Sequence, residues 1–175
     1  MLDIATAYNR YKFLGYEFLT WLWFSIDQKP GNLQSENGHF GTLQIGNRIV
    51  LENFTQDKTE TITIKGDDPN LAAALLSIRQ GALVTEINLV FRHNDAEWHF
   101  TLKGESFSIT NLKTPQKGPV EMPEDVEGAV LEQAYLLEQL LTYQDFLFKD
   151  FIHQRVSDDW VGSTLPEMKR WVSGQ

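Results

Sequence analysis

The sequence has no cysteine among its 175 residues. Disulfide frameworks, thiolate zinc sites, Fe–S clusters and thiol nucleophiles are therefore excluded. Basic residues are scarce: 15 Lys and Arg face 24 Asp and Glu, a formal net charge of -9. That balance repels phosphate backbones and disfavours a general nucleic-acid coat protein. No apolar run is long enough to span a bilayer, because the block from Phe13 to Ile26 falls short of the roughly 20 residues a spanning helix needs. With no signal-peptide pattern, a cytoplasmic protein without membrane contact is expected. The motifs GxxxxGKS/T, GxGxxG after a strand, GxSxG and HExxH are also missing. The sequence thus points to no enzyme, no cofactor and no small-molecule ligand.

A hydrophobic fraction of 42% with 22% charged residues is ordinary for a globular chain, and the length suits a single domain over 1–175. The block Phe13–Ile26 carries one charge, Glu17, and is apolar nearly all round. It predicts a helix over 13–26, buried on most of its surface and ended by Lys29-Pro30-Gly31. Trp21, Trp23 and Phe24 could form a binding platform, but core packing is the simpler role for such rings. From His39 the period becomes alternating. Leu43 and Ile45, Ile49 and Leu51, and Ile62 and Ile64 read as three strands of a meander over 39–66, with turns at Gly46-Asn47 and Thr55–Lys58. Asp68 and Pro69 suit the cap and first position of a helix over 69–80. Leu71, Ala74, Leu75 and Ile78 would be its apolar face, and Gly81 its C-terminal stop.

The segment 84–110 is the most legible. Ile87, Leu89 and Phe91 alternate with polar neighbours, as do Trp98, Phe100 and Leu102 after Asn94-Asp95. A two-residue loop there sets Leu89 opposite Phe100 and Phe91 opposite Trp98 on the inner face. It also sets Arg92 opposite Glu97 and Glu86 opposite Lys103 outside. A turn at 103–106 would place Phe107 opposite Leu102 and Ile109 opposite Phe100. The expected fold is α+β, two antiparallel three-strand meanders in helix-βββ-helix-βββ-helix order, with helices packed on the sheet.

The Pro-rich stretch 113–123 reads as a linker before a long helix over 124–155 and a short one over 164–172. Val130, Ala134, Leu137, Leu141 and Phe148 form one stripe of the long helix, and Leu136, Leu140, Leu147 and Phe151 a second. One stripe suffices to cover the sheet, so a homodimer is expected through Phe146, Phe148, Phe151 and Ile152 near Trp160 and Trp171. The alternative is that the last helix folds back over that surface.

The histidines are His39, His93, His99 and His153. His93 and His99 flank one hairpin with Asp95 and Glu97 between them, but the register sends them to opposite faces, so no metal site is expected. The pairs Asp67-Asp68, Glu124-Asp125 and Asp158-Asp159 lie at helix starts or in loops, where dipole complementarity explains them. Charge is uneven. Residues 1–120 hold 11 basic and 13 acidic side chains, while residues 121–175 hold 4 and 11. The candidate nucleic-acid contacts are Lys65, Arg92 and Lys103 on the outward sheet face, with Arg48 near a turn, together a modest basic patch. The competing reading is that Glu97 and Glu86 answer Arg92 and Lys103 across the strands.

The run Phe13-Leu-Gly-Tyr-Glu-Phe-Leu-Thr-Trp-Leu-Trp23 resembles the FLG-x-EFLTWLW segment of the longer, RdgC-like recombination-associated proteins of bacteria. Gly46-Asn-Arg-Ile-Val-Leu-Glu52, Ile64-Lys-Gly-Asp67, Glu97-Trp-x-Phe-Thr-Leu102 and Leu112-Lys-Thr-Pro115 follow in a similar order, so the likeness covers about residues 13–155. The resemblance implies a non-enzymatic protein connected with DNA recombination, binding duplex DNA without sequence preference as a ring-like dimer. It carries over no catalytic residue and no DNA-contacting position. The chain matches only the C-terminal part of those longer proteins, and its acidity departs from a ring lined with phosphate contacts. A scaffold or assembly domain of the same fold, without DNA binding, is the alternative.

Overall fold

The structure, a computed structural model, describes residues 12–33, 41–54, 58–66, 71–115 and 125–174. Helix α1 (Phe13–Gln28) is followed by a 3-10 turn (Pro30–Leu33), then strands β1 (Thr42–Phe54) and β2 (Thr59–Lys65). Helix α2 (Leu71–Arg79) leads to β3 (Leu83–His93), β4 (Ala96–Lys103) and β5 (Ile109–Lys113). The chain ends with α3 (Asp125–Val156), a π turn (Trp160–Thr164) and α4 (Leu165–Ser173). The cap expected from Asp68 and Pro69 and most of the 113–123 linker lie outside the described residues.

The five strands form one antiparallel sheet in the order β2-β1-β3-β4-β5. This corrects the expected pair of three-strand meanders. Gly46-Asn47, read as a turn, lies inside a single long strand. Ile45 faces Leu89 and Ile49 faces Ile87, so β1 steps past β3 with two extra residues, a bulge rather than a reversal. The side chain of Asn88 fills the gap. Its Oδ1 accepts the N–H of Asn47 at 3.2 Å, and its Nδ2 donates to the carbonyl of Phe100 at 3.0 Å. A Cβ at Gly46 would collide with that amide, which is why glycine stands there.

The β3–β4 register is the expected one: Leu89 faces Phe100, Phe91 faces Trp98, Arg92 faces Glu97 and Glu86 faces Lys103. The next register is not. Leu102 faces Ile109, two residues beyond the expected Phe107. The turn is longer because Lys103 N–H bonds to the Ser108 carbonyl at 3.0 Å and Phe107 takes a left-handed φ of 52°. A slip of two keeps Ile109 on the inner face, although an irregularity further along β5 turns Lys113 outward opposite His99. It also releases Phe107 to pack against Phe18 and Phe148.

Helix α1 is buried on nearly every side, with Phe18, Leu19, Trp21, Leu22, Trp23 and Phe24 all in the core. Its first turn approaches the β4–β5 turn so closely that a Cβ on Gly15 would strike the Gly104 carbonyl. The glycine of the Phe-Leu-Gly run is thus explained by a backbone crossing. Helix α3 lays Leu140, Tyr143, Leu147 and Phe151 on the inner face. The Tyr143 ring stacks on Phe91 at 4.2 Å, and the Trp98 indole N–H donates to the Leu136 carbonyl at 3.1 Å. Helix α4 closes the other end, where Trp171 meets Trp23 edge-on at 5.2 Å and donates to Asp27 at 2.8 Å.

That closure bears on the expected dimer surface. Phe151 is fully buried, and Phe146, Phe148 and Ile152 are half-buried against the same core. Phe148 meets Phe18 edge-on at 5.4 Å, and Phe151 meets Trp160 at 5.9 Å. The cluster is turned inward, covered within the chain by α1 and the π turn. An apolar run can look unpartnered in sequence when its cover comes from more than 100 residues away.

Candidate nucleic-acid interface

Alternation along the strands sends two populations of side chains to opposite faces. The inner residues Ile49, Leu51, Ile87, Leu89, Phe91, Trp98, Phe100 and Leu102 are buried beneath the helices. The outer face carries Gln44, Arg48 and Glu52 from β1, Thr61, Thr63 and Lys65 from β2, and Glu86, Asn88 and Arg92 from β3. Glu97, His99, Thr101 and Lys103 come from β4, and Lys113 from β5. The helix contacts named above all fall on inner residues. All four candidate cations of the sequence reading stand on the outer face, in two groups.

The first group is a row across four strands. Arg48 faces Lys65, and Glu86 faces Lys103. Arg48 Nη1 lies 2.9 Å from one oxygen of Glu86, and Lys103 Nζ lies 3.1 Å from the other. One carboxylate therefore serves two cations. Lys65 makes no ion pair among the described residues, and with Asn47, Arg48 and Gly66 it lines a shallow recess of about 250 Å³. A guanidinium with spare N–H groups beside a free ammonium can hold an anionic oxygen.

The second group lies at the other end of the same strands, about 20 Å away at the rise of an extended chain. Arg92 bonds to Glu97 and to Gln44 Oε1, the latter at 2.6 Å. Glu97 takes a further contact from His99 Nε2 at 2.6 Å; since a carboxylate only accepts, that ring nitrogen carries the proton. The hydrogen bond from Arg92 first, then that from His99, hold the Glu97 carboxyl below its ordinary range. The group is therefore an anion at neutral pH. Lys113 faces His99 from the edge strand. Asn88 and Thr101 bridge the two groups, with Asn88 Nδ2 3.3 Å from the Thr101 hydroxyl.

The cross-strand answer expected for Arg92 and Lys103 is thus present at both. The face nonetheless keeps a surplus. Five basic side chains (Arg48, Lys65, Arg92, Lys103, Lys113) stand against three acidic ones (Glu52, Glu86, Glu97), in a chain of net charge -9. Among the described residues no group of three or more His, Asp or Glu is placed to hold a metal ion. The interface can hold anions by charge and hydrogen bonding.

One feature escaped the sequence reading. Phe13, Tyr16, Ile78, Leu83, Trp160 and Met168 line an apolar recess of about 430 Å³, closed at one side by an ion pair of 2.8 Å between Glu17 and Arg155. Its walls come from α1, α2, β3, the end of α3, the π turn and α4, so no local spacing announces it. In comparisons with family models, curated proteins and solved structures, nothing matches this chain.

Proposed function

We propose that this chain is a non-enzymatic, RdgC-like protein connected with DNA recombination, and that it meets the phosphate backbone of duplex DNA with the outer face of its sheet. The observation that carries the reading is the basic surplus on a sheet face without a described helix, in a chain that is acidic elsewhere. The net charge is no obstacle when the acids lie on another surface, because screened charges act over about one Debye length of 8 Å. Flat, hydrogen-bonding and modestly cationic, the face suits contact without base readout. No described helix is long and apolar enough to cross a membrane, and a cytoplasmic setting belongs to the same reading. The homodimer contact expected at Phe146, Phe148, Phe151 and Ile152 is left out of it, since those side chains pack inward.

Titration of labelled duplex DNA at two salt concentrations tests the proposal. With about three phosphate contacts, affinity should fall roughly 40-fold between 50 and 200 mM salt. The double variant Arg48→Glu/Lys65→Glu should lose binding without losing its fold. Absence of binding at low salt, or a double variant that binds like the wild type, would overturn it. A second reading, a scaffold of the same fold that does not bind DNA, draws on Glu86 and Glu97, which already engage Arg48, Lys103 and Arg92. The same titration separates the two.

A further inference from the structure

Helix α3 has a second face that the core does not use. Its buried residues Leu140, Tyr143, Leu147 and Phe151 run from the middle of the helix toward its C-terminal end. On another face, from the second turn to the middle of the helix, Val130, Ala134, Leu137 and Leu141 follow one another at steps of four, three and four, the spacing of a coiled-coil seam. Val130 is 61% exposed and Leu141 56%, Ala134 is exposed and Leu137 half-buried. Leu131 and Tyr135, exposed at 64% and 58%, widen the patch on one side. From Val130 to Leu141 the seam runs about 17 Å at the rise of an α-helix. Isolated exposed leucines need no explanation, but a contiguous apolar stripe of several hundred Å² does.

The charges beside the seam say what can cover it. From Asp125 to Phe148 the helix holds five acidic residues and no Lys, Arg or His. At 100° per residue, Glu127, Glu138 and Asp145 fall in one row along the solvent-side flank of the seam. The first base, Lys149, pairs with Asp145 at 2.6 Å, and Glu127 and Glu138 make no ion pair among the described residues. A second copy of α3 laid on the first would set acid against acid in either direction, which opposes self-pairing. Nucleic acid and anionic lipid surfaces carry the wrong sign as well. The complement is a helix with an apolar seam of its own and Lys or Arg beside it.

We propose that the Val130–Leu141 stripe of α3 is the docking surface for a basic amphipathic helix of a partner protein. The seam residues bury against the partner's apolar positions, and the Glu127, Glu138 and Asp145 row fixes its sign and orientation. This surface lies on a different element from the proposed DNA-contacting face, so the two stand or fall separately.

The full chain is titrated with a labelled helical peptide of about 18 residues that places Leu at 3–4 spacing and Lys beside it. A second peptide of the same composition has its seam scrambled. Binding should saturate at one peptide per chain and weaken with salt, and the scrambled peptide should bind at least tenfold more weakly. Val130→Asp/Leu141→Asp, at exposed positions and with its fold checked by thermal melting, should lose tenfold or more. Glu127→Gln/Glu138→Gln should bind several-fold more weakly and with less salt dependence, while Arg48→Glu/Lys65→Glu leaves peptide binding unchanged. Equal binding of the two peptides would overturn the proposal, as would a Val130→Asp/Leu141→Asp variant that binds like the wild type. So would a free chain that sediments as a dimer dissociated by that variant, since the stripe would then belong to a second copy.

Discussion

The two faces of the sheet are made by the same strands and answer to different physics. On β3 and β4, Ile87, Leu89, Phe91, Trp98, Phe100 and Leu102 turn inward and are buried under α1 and α3. Their neighbours Glu86, Arg92, Glu97, His99 and Lys103 turn outward and are tied to one another and to Arg48 and Gln44 of β1. The inner set holds the fold by excluded water and close packing. The outer set is held by exposed ion pairs, each worth little to stability, typically below about 1 kcal/mol. Residues one position apart can therefore differ severalfold in what their loss costs, and the face that contributes least to stability is the one free to vary for binding.

Trp98→Asp tests the inner face most severely. The side chain is 1% exposed and its N–H is committed to the Leu136 carbonyl, so a carboxylate there has neither solvent nor partner. We expect a loss of several kcal/mol and failure to fold, seen as loss of the thermal transition. A wild-type-like melting curve would mean that Trp98 is not an inner residue. Asn88→Ala tests the middle of the outer face, where a polar side chain has a structural task. Removing it orphans the Asn47 N–H at the β1 bulge and the Phe100 carbonyl, and about 1–2 kcal/mol of stability should go. An unchanged stability would show that water replaces the amide at the bulge.

Glu97→Gln has the smallest expected effect, and its signature is in pH rather than size. The Glu97 carboxyl lies below its ordinary value of 4.5 because Arg92 and His99 bond to its anion. A carboxylate with a depressed folded-state pKa stabilises the fold above that ordinary value, and the benefit is lost as pH falls through the folded-state pKa. Wild type and variant should thus differ slightly at neutral pH, and their stabilities should converge below pH 4.5. Curves that run parallel down to acid pH would remove Glu97 from the network.

How much of this was legible in the sequence depended on distance along the chain. The β3–β4 hairpin could be paired residue by residue, because a two-residue loop and a period of two leave one register that buries the rings. The next turn could not, since a Phe at positive φ in a five-residue connection has no local signature. Lys65, Arg92 and Lys103 could be assigned to the outer face from alternation alone, whereas Arg48 read as lying near a turn that proved to be a bulge within β1. That Arg48 and Lys103 share Glu86, while Lys65 is left without an ion pair among the described residues, required β1 and β3 to be neighbours.

Sequence alone determined the α+β class, the buried helix α1, the inner and outer sets of β3 and β4, and the acidity of the C-terminal helices. These follow from composition and from periods of two and 3.6, which any stretch of chain displays by itself. Only the tertiary structure decided that Gly46-Asn47 is a bulge and that the Phe146–Ile152 cluster is interior. It likewise decided that the exposed apolar face of α3, from Val130 to Leu141, lies N-terminal of the Phe146–Ile152 cluster where a dimer was expected. The first two depend on a partner far along the chain: Asn88 filling the gap beside Gly46, and Phe18 covering both Phe148 and Phe151. A local pattern states which side chains seek cover, and only the assembled fold decides which of them find it.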